Sequence, residues 1–161
     1  MIILQDTREQ TPLEFFFTPI SDVREEKLNI GDYGCEFEDG TKSKYYFERK
    51  GIADLYGTLG QGYKRFKKEI ERARQTDSIL ILIIEGTFSE VNQGYEYSQI
   101  EGKSILKTIF TLLIRHGVYP VFCEDRREMS EFITHFYWAE ERNLIAKKVL
   151  DKKGISGKVK G

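Results

Sequence analysis

Lys44-Tyr45-Tyr46-Phe47-Glu48-Arg49-Lys50 is the stretch of sequence that decides the fold of this chain. It is rich in aromatic residues and runs directly into a glycine, a composition that predicts a β-strand. Successive side chains of a strand point to opposite faces. Glu48 and Lys50 therefore share one face, and Arg49 points away from it.

A second strand is predicted upstream, over Lys27-Leu28-Asn29-Ile30-Gly31-Asp32-Tyr33. The polar segment Glu38-Asp39-Gly40-Thr41 between the two predicted strands is typical of a turn, so they are expected to form a hairpin. In that hairpin Asp32 would lie beside Glu48.

Two carboxylates with one ammonium group nearby suit the cleavage of a phosphodiester bond. Mg²⁺ takes oxygen ligands and is usually bound through one or two carboxylates plus substrate phosphate, and Mn²⁺ can take its place. Lys50 could orient the attacking water or stabilise charge that develops on the phosphate oxygens. The residues predict a metal-dependent nuclease with Asp32 and Glu48 as metal ligands.

The order of the motifs resembles the nuclease domain of the XPF-type structure-specific DNA endonucleases, which include the archaeal Hef nuclease. The matching motifs are Asp6-Thr7-Arg8-Glu9, Gly31-Asp32-Tyr33 and Glu48-Arg49-Lys50 with Asp54-Leu55, and the likeness extends to the strand that ends at Gly86. The resemblance implies the restriction-endonuclease-like fold, an α/β fold of three layers in which helices flank a central mixed β-sheet. It also implies cleavage of branched, flapped or forked DNA in repair, recombination or replication, and dimerisation through the nuclease domain.

The same resemblance assigns roles to residues. Asp32 and Glu48 are the implied metal ligands and Lys50 the catalytic lysine. The other implied catalytic and supporting residues are Asp6, Glu9 and Arg49, with Arg8 and Asp54 in support.

Two alternatives compete with a DNA endonuclease. Family members commonly carry a tandem helix-hairpin-helix module after this domain, and 161 residues leave no room for one, so a usual means of binding duplex DNA is expected to be missing. A noncatalytic DNA-binding or scaffolding subunit of a nuclease complex is the main alternative, although it is expected to have a damaged metal motif. A nuclease acting on RNA or single strands, whose bases stack on aromatic side chains, is the other.

The distribution of charge favours DNA binding although the net charge is only −1. Residues 42–74 contain ten Lys or Arg against four Asp or Glu, and residues 142–161 contain seven against one. Such an asymmetric distribution can form a basic surface that binds phosphate. The predicted DNA-binding residues are Lys64, Arg65, Lys67 and Lys68. The alternative is a solvated helix face with stabilising Glu–Lys pairs.

Length and composition predict one intracellular nuclease domain over residues 1–150, followed by a basic, flexible tail over residues 151–161. No stretch contains the roughly 20 uninterrupted apolar residues of a membrane span, so no membrane partner is expected. Cys35 and Cys123 have no partner at the spacing of a zinc site. Both thiols are predicted to be reduced and structural.

The remaining elements follow from periodicity. A helix is expected from Ile52, a break or tight loop at Gly57, Gly60 and Gly62, and a second helix that buries Tyr63, Phe66, Ile70 and Ala73. The glycine loop has two open interpretations, a phosphate grip and a simple sharp turn.

Downstream, a central strand covered on both faces is predicted over residues 78–85. A helix is predicted over residues 103–115 and a strand over residues 118–123. Asp125 and Glu128 are predicted to begin a last helix. The polar segment 87–102 has no regular period and is expected to be a loop near the site or at a dimer contact. The helix over 103–115 is apolar almost all round, which favours a homodimer. The aromatic residues of the last helix, such as Phe136 and Trp138, suit either a dimer contact or the core of the monomer.

Overall fold

The computed structural model describes residues 1–154. Eleven elements occur in this part of the chain. Their bounds are β1 Ile2–Asp6, β2 Asp22–Glu26, β3 Tyr33–Glu36, β4 Tyr45–Gly51, α1 Ile52–Leu59, α2 Tyr63–Gln75, β5 Ile79–Glu85, α3 Phe88–Gln93, α4 Gly102–His116, β6 Tyr119–Cys123 and α5 Arg126–Lys152.

The six strands form one mixed sheet in the order β2-β1-β3-β4-β5-β6. β3 pairs antiparallel with both β1 and β4, whereas β4, β5 and β6 are parallel. The parallel half requires crossover helices, which α1 and α2 provide between β4 and β5 and α4 provides between β5 and β6. The predicted α/β fold with a central mixed sheet is confirmed.

Each face of the sheet has its own hydrophobic core, and β5 contributes to both. Leu80, Leu82 and Ile84 pack on the side of α1, α2 and α4. Ile81 and Ile83 pack on the side of α5. This alternation along an apolar strand is expected when both faces are covered. It gives the three predicted layers, although β5 lies next to the edge strand β6 and not in the middle of the sheet.

The prediction of a strand over Lys27–Tyr33 is wrong, because regular pairing begins only at Tyr33. The preceding backbone is held by groups far away in sequence. Gly31 has a φ of +68°, and a Cβ there would lie 3.0 Å from the carbonyl oxygen of Phe47. Asp32 still bridges two strands, since its N–H donates to the carbonyl oxygen of Phe47 at 2.7 Å and its own carbonyl accepts from the N–H of Asp6 at 2.8 Å.

Two further local predictions need correction. Gly57 lies inside α1, so the break between the first two helices is at Gly60–Gly62. The segment 87–102 is not a loop throughout, because α3 occupies Phe88–Gln93. This helix begins with a capping box between Thr87 and Glu90, a signal present in the sequence.

The last helix begins as predicted, with the Asp125 side chain accepting from the N–H of Glu128. Tyr137 is fully buried, while Trp138 is partly exposed, so the aromatic residues of α5 divide between core and surface. α5 continues through Lys152, and residues 155–161 of the predicted tail lie outside the described residues. Within residues 1–154, no helix combines the length and the apolar character of a membrane span.

Candidate active site

The predicted metal ligands meet at a cavity of about 870 Å³ between the sheet and the helices α1 and α2. Asp32, which immediately precedes β3, lines this cavity. Glu48 and Lys50 line it from alternate positions of β4. The Lys50 ammonium lies 3.2 Å from Glu48 Oε1. One oxygen of Asp32 is fixed by the backbone N–H of Arg49 at 2.8 Å. The hairpin therefore delivers two carboxylates and one ammonium group to the same space, as the alternation along β4 predicts.

The two carboxylates have strongly perturbed acidities. Burial raises the pKa of Asp32 to about 6, and the charges of Glu9 and Glu69 act in the same direction. Burial raises the pKa of Glu48 to about 9, with a further contribution from the charge of Asp32. Lys50 opposes both shifts without cancelling them. At neutral pH the Glu48 side chain therefore holds a proton, which a cation in the cavity would displace.

Glu69 is the residue of this site that the sequence did not reveal. It comes from α2, lines the cavity, and accepts a hydrogen bond from the N–H of Gly31 at 3.1 Å. This contact ties α2 to the turn that presents Asp32. The sequence indicates a role for Glu69 only through helical spacing, since it lies one turn after Arg65 and one turn before Arg72 on one face of α2. Both arginines line the same cavity.

Asp6 and Arg8 organise the same turn from the end of β1. Asp6 is only 2% exposed, and its oxygens accept from the N–H of Leu28 at 2.9 Å and from Arg8 Nε at 2.8 Å. Arg8 also donates to the carbonyl oxygen of Leu28 at 3.0 Å. Both residues line the cavity, and the Asp6 carboxylate and two nitrogens of the Arg8 guanidinium hold the segment that leads to Asp32. This geometry suits a positioning role.

Glu9 and Arg49 form an ion pair outside the lining of the cavity. Arg49 Nη2 lies 2.8 Å from Glu9 Oε1, and both side chains are largely buried. The same guanidinium donates to the carbonyl and hydroxyl oxygens of Thr11. Arg49 thus points away from Glu48 and Lys50, as predicted, and fixes the first motif against the reverse side of β4.

The basic residues of α2 separate into two groups. Arg65 and Lys68 line the cavity, whereas Lys64 and Lys67 lie outside its lining. All four are exposed. Within the described part of the chain, none of the four forms an ion pair, so the Glu–Lys pairs of the alternative interpretation do not occur along this helix.

Asp54 also lines the cavity, in the first turn of α1. A carboxylate at this end of a helix is stabilised by the helix dipole whether or not it binds a ligand.

The donor set fits a divalent cation that retains water and takes further ligands from a substrate. In residues 1–154, no group of three His, Cys, Asp or Glu side chains is arranged to hold an ion without other ligands. Two acidic side chains are sufficient for Mg²⁺, which commonly completes its shell with water and phosphate oxygens. The pKa values of Asp32 and Glu48 are raised first by burial and then by neighbouring carboxylates, and a bound cation would favour the charged form of both side chains.

Comparisons with known proteins agree with the motifs. The ERCC4 domain family matches residues 5–136. Among solved structures, XPF from Aeropyrum pernix superposes with a TM-score of 0.65 at 19% identity, over 84% of this chain and 59% of that chain. XPF from Aeropyrum pernix in complex with DNA superposes with a TM-score of 0.63 at 18% identity, over 88% of this chain and 66% of that chain.

At these identities the structural likeness establishes the fold alone, and this chain spans 59% of the length of the first of the two structures. No curated protein matches the chain. The family match covers the whole motif region, from the residue before Asp6 to α5. The chain therefore belongs to the ERCC4 domain family, as its motifs predict.

Proposed function

We propose that this chain is a Mg²⁺- or Mn²⁺-dependent DNA endonuclease that acts inside the cell on branched, flapped or forked DNA. The observation that carries the proposal is the meeting of Asp32, Glu48 and Lys50 in one cavity, beside the exposed cations of α2. Family membership supports the reaction class. The DNA complex of the Aeropyrum pernix XPF supports DNA as the substrate.

The residues of the cavity divide the work of hydrolysis. Asp32 and Glu48 would hold the metal, which when bound polarises the phosphate and makes a hydroxide available at neutral pH. Lys50, held beside Glu48, would donate hydrogen bonds to the phosphate oxygens or orient the attacking water. Arg65 and Lys68 would bind phosphates of the DNA and keep the scissile bond over the carboxylates.

The test is cleavage of labelled duplex, forked, flapped and four-way-junction DNA by the purified protein, with and without Mg²⁺ or Mn²⁺. Asp32→Asn and Lys50→Ala should each reduce cleavage by at least 100-fold, on the order of one lost general acid–base or electrostatic contribution. Asp22→Asn and Lys103→Ala are matched controls, because both residues are exposed and lie outside the lining of the cavity. Each control should cleave at the rate of the wild-type protein.

Full cleavage by either Asp32→Asn or Lys50→Ala would contradict the assignment of the site. DNA binding without cleavage under every condition would instead favour the noncatalytic scaffolding subunit. Preference for single-stranded or RNA substrates over branched DNA would favour the other nuclease class.

We also propose that the chain forms a homodimer through the apolar surface of α4 and β6. Ile114 is 81% exposed, and Phe110, one turn earlier on α4, and Tyr119 on β6 are exposed as well. Exposed apolar surface of this kind commonly marks an association site. Light scattering should give the mass of two chains for the wild-type protein and of one chain for Ile114→Asp. A monomeric wild-type protein would contradict the proposal.

A further inference from the structure

The wall of the cavity formed by α2 carries a row of cations that no carboxylate of the described residues pairs with. Arg65, Lys68 and Arg72 all line the cavity and are exposed. None of them takes part in an ion pair within residues 1–154. Arg65 and Arg72 are two helical turns apart, about 10 Å along the axis, with Lys68 between them. Along the axis of B-form DNA one strand carries a phosphate about every 3.4 Å, so this length covers about three phosphate steps.

The opposite wall, formed by α1, contains a glycine that the fold does not explain. Gly57 lies in the interior of α1 and lines the cavity. Its φ is not in the left-handed region, and a Cβ placed on it would meet no atom within 4 Å. Glycine in a helix interior costs stability relative to alanine. Neither backbone conformation nor packing therefore requires glycine here, whereas a ligand that approaches the helix closely would require it.

We infer that the sugar–phosphate backbone of the DNA strand to be cleaved lies between α1 and α2, in contact with Gly57. Arg65, Lys68 and Arg72 bind about three consecutive phosphates of that strand. Lys64 and Lys67, on the same helix, do not contact it. The inference rests on the proposed function, and it adds Gly57 and Arg72 as residues that position the substrate.

The substitution Gly57→Ala separates this role from a structural one, because stability and activity should change in opposite directions. Alanine should raise the melting temperature by about 2–4 °C, since it favours the helix and meets no neighbour. The added methyl group would occupy the path of the DNA backbone, so affinity for forked DNA should fall about 10-fold. Gly57→Leu should weaken binding further.

The cations give a second, independent measurement. Arg65→Ala and Arg72→Ala should each weaken DNA binding about 10-fold. The matched control Arg74→Ala, at an exposed residue of α2 outside the lining of the cavity, should weaken it by less than 2-fold. Arg65→Ala and Arg72→Ala should also each reduce the slope of log affinity against log salt by about 0.7–0.9, the contribution of one phosphate contact. Arg74→Ala should leave that slope unchanged.

The measurements distinguish failure of this inference from failure of the proposed function. If the wild-type protein neither binds nor cleaves DNA, the proposed function fails, and the strand path fails with it. If the wild-type protein cleaves forked DNA and Gly57→Ala cleaves and binds equally well, only the strand path is overturned. A loss of binding in Arg74→Ala as large as that in Arg72→Ala overturns it as well.

Discussion

Replacing Glu48 with glutamine should stabilise the metal-free protein while abolishing its proposed activity. Glu48 is 7% exposed, and its pKa rises from 4.5 to about 9 in the folded protein. Folding at pH 7 must therefore protonate a side chain that is ionised in the unfolded chain. At 1.36 kcal/mol for each pKa unit, this costs about 3 kcal/mol at pH 7 and less than about 1 kcal/mol at pH 5.

The sign follows from proton binding. A group whose pKa is higher in the folded state makes the free energy of unfolding fall as pH rises between the unfolded and folded values, here between about 4.5 and about 9. Glutamine resembles the protonated side chain and does not titrate, so Glu48→Gln escapes this loss. For a chain of 161 residues, about 3 kcal/mol corresponds to roughly 6–12 °C in melting temperature.

The assay is urea unfolding followed by circular dichroism at pH 5, 6, 7 and 8, in the presence of a chelator. The free energy of unfolding of Glu48→Gln should exceed that of the wild-type protein by an amount that grows with pH. For the exposed control Glu71→Gln, the difference from wild type should show no such trend. Mg²⁺ should stabilise the wild-type protein and not Glu48→Gln, because a ligand stabilises the state that binds it. A difference in the free energy of unfolding that is the same at every pH would refute the reasoning, and so would a Glu48→Gln variant that is less stable than the wild-type protein at pH 8.

Three further predictions concern the supporting structure. Arg49→Met should lower the free energy of unfolding by about 3–5 kcal/mol, measured by urea unfolding, because it leaves the buried carboxylate of Glu9 unpaired. Adding Glu9→Gln to the Arg49→Met variant should restore much of the lost stability. Asp6→Ala should cost about 1–3 kcal/mol and speed hydrogen exchange at the N–H of Leu28, which would lose its acceptor; unchanged exchange would contradict the positioning role. Gly102→Ala should lower the melting temperature, since its Cβ would lie 2.2 Å from a backbone oxygen of α3. A melting temperature at or above that of the wild-type protein would show that α3 can move away from the added methyl group without loss of stability.

The face of β4 that lines the cavity could be predicted from the sequence because strand alternation is local. Glu48 and Lys50 are two residues apart, so any strand assignment places them together, and the polar turn at residues 38–41 brings Asp32 beside them. The conformation of residues 27–32 could not be predicted in the same way. Its backbone N–H groups bond to side chains of Asp6 and Glu69, which are distant in sequence, and no local pattern reports such bonds.

Glu69 shows why charge patterns on a helix are ambiguous. A glutamate among lysines and arginines predicts ion pairs along the helix surface. In the structure its carboxylate instead accepts from Gly31 N–H, and no cation of α2 pairs with a carboxylate in the described part of the chain. The packing of α2 against the turn before β3 decides between these outcomes, and that packing is a property of the whole fold.

The cavity combines buried carboxylates, which are costly for a protein without a ligand, with exposed cations that are free to bind anions. Its floor buries Asp32 and Glu48 among other carboxylates, so both pKa values rise, chiefly through burial. Its rim carries Arg65 and Arg72, which form no ion pair with any of the described residues 1–154. A structural ion-pair network would let these opposite charges neutralise one another, as Glu9 and Arg49 do on the reverse side of β4. The floor needs a cation and the rim needs anions, and a phosphodiester strand that brings a divalent metal supplies both.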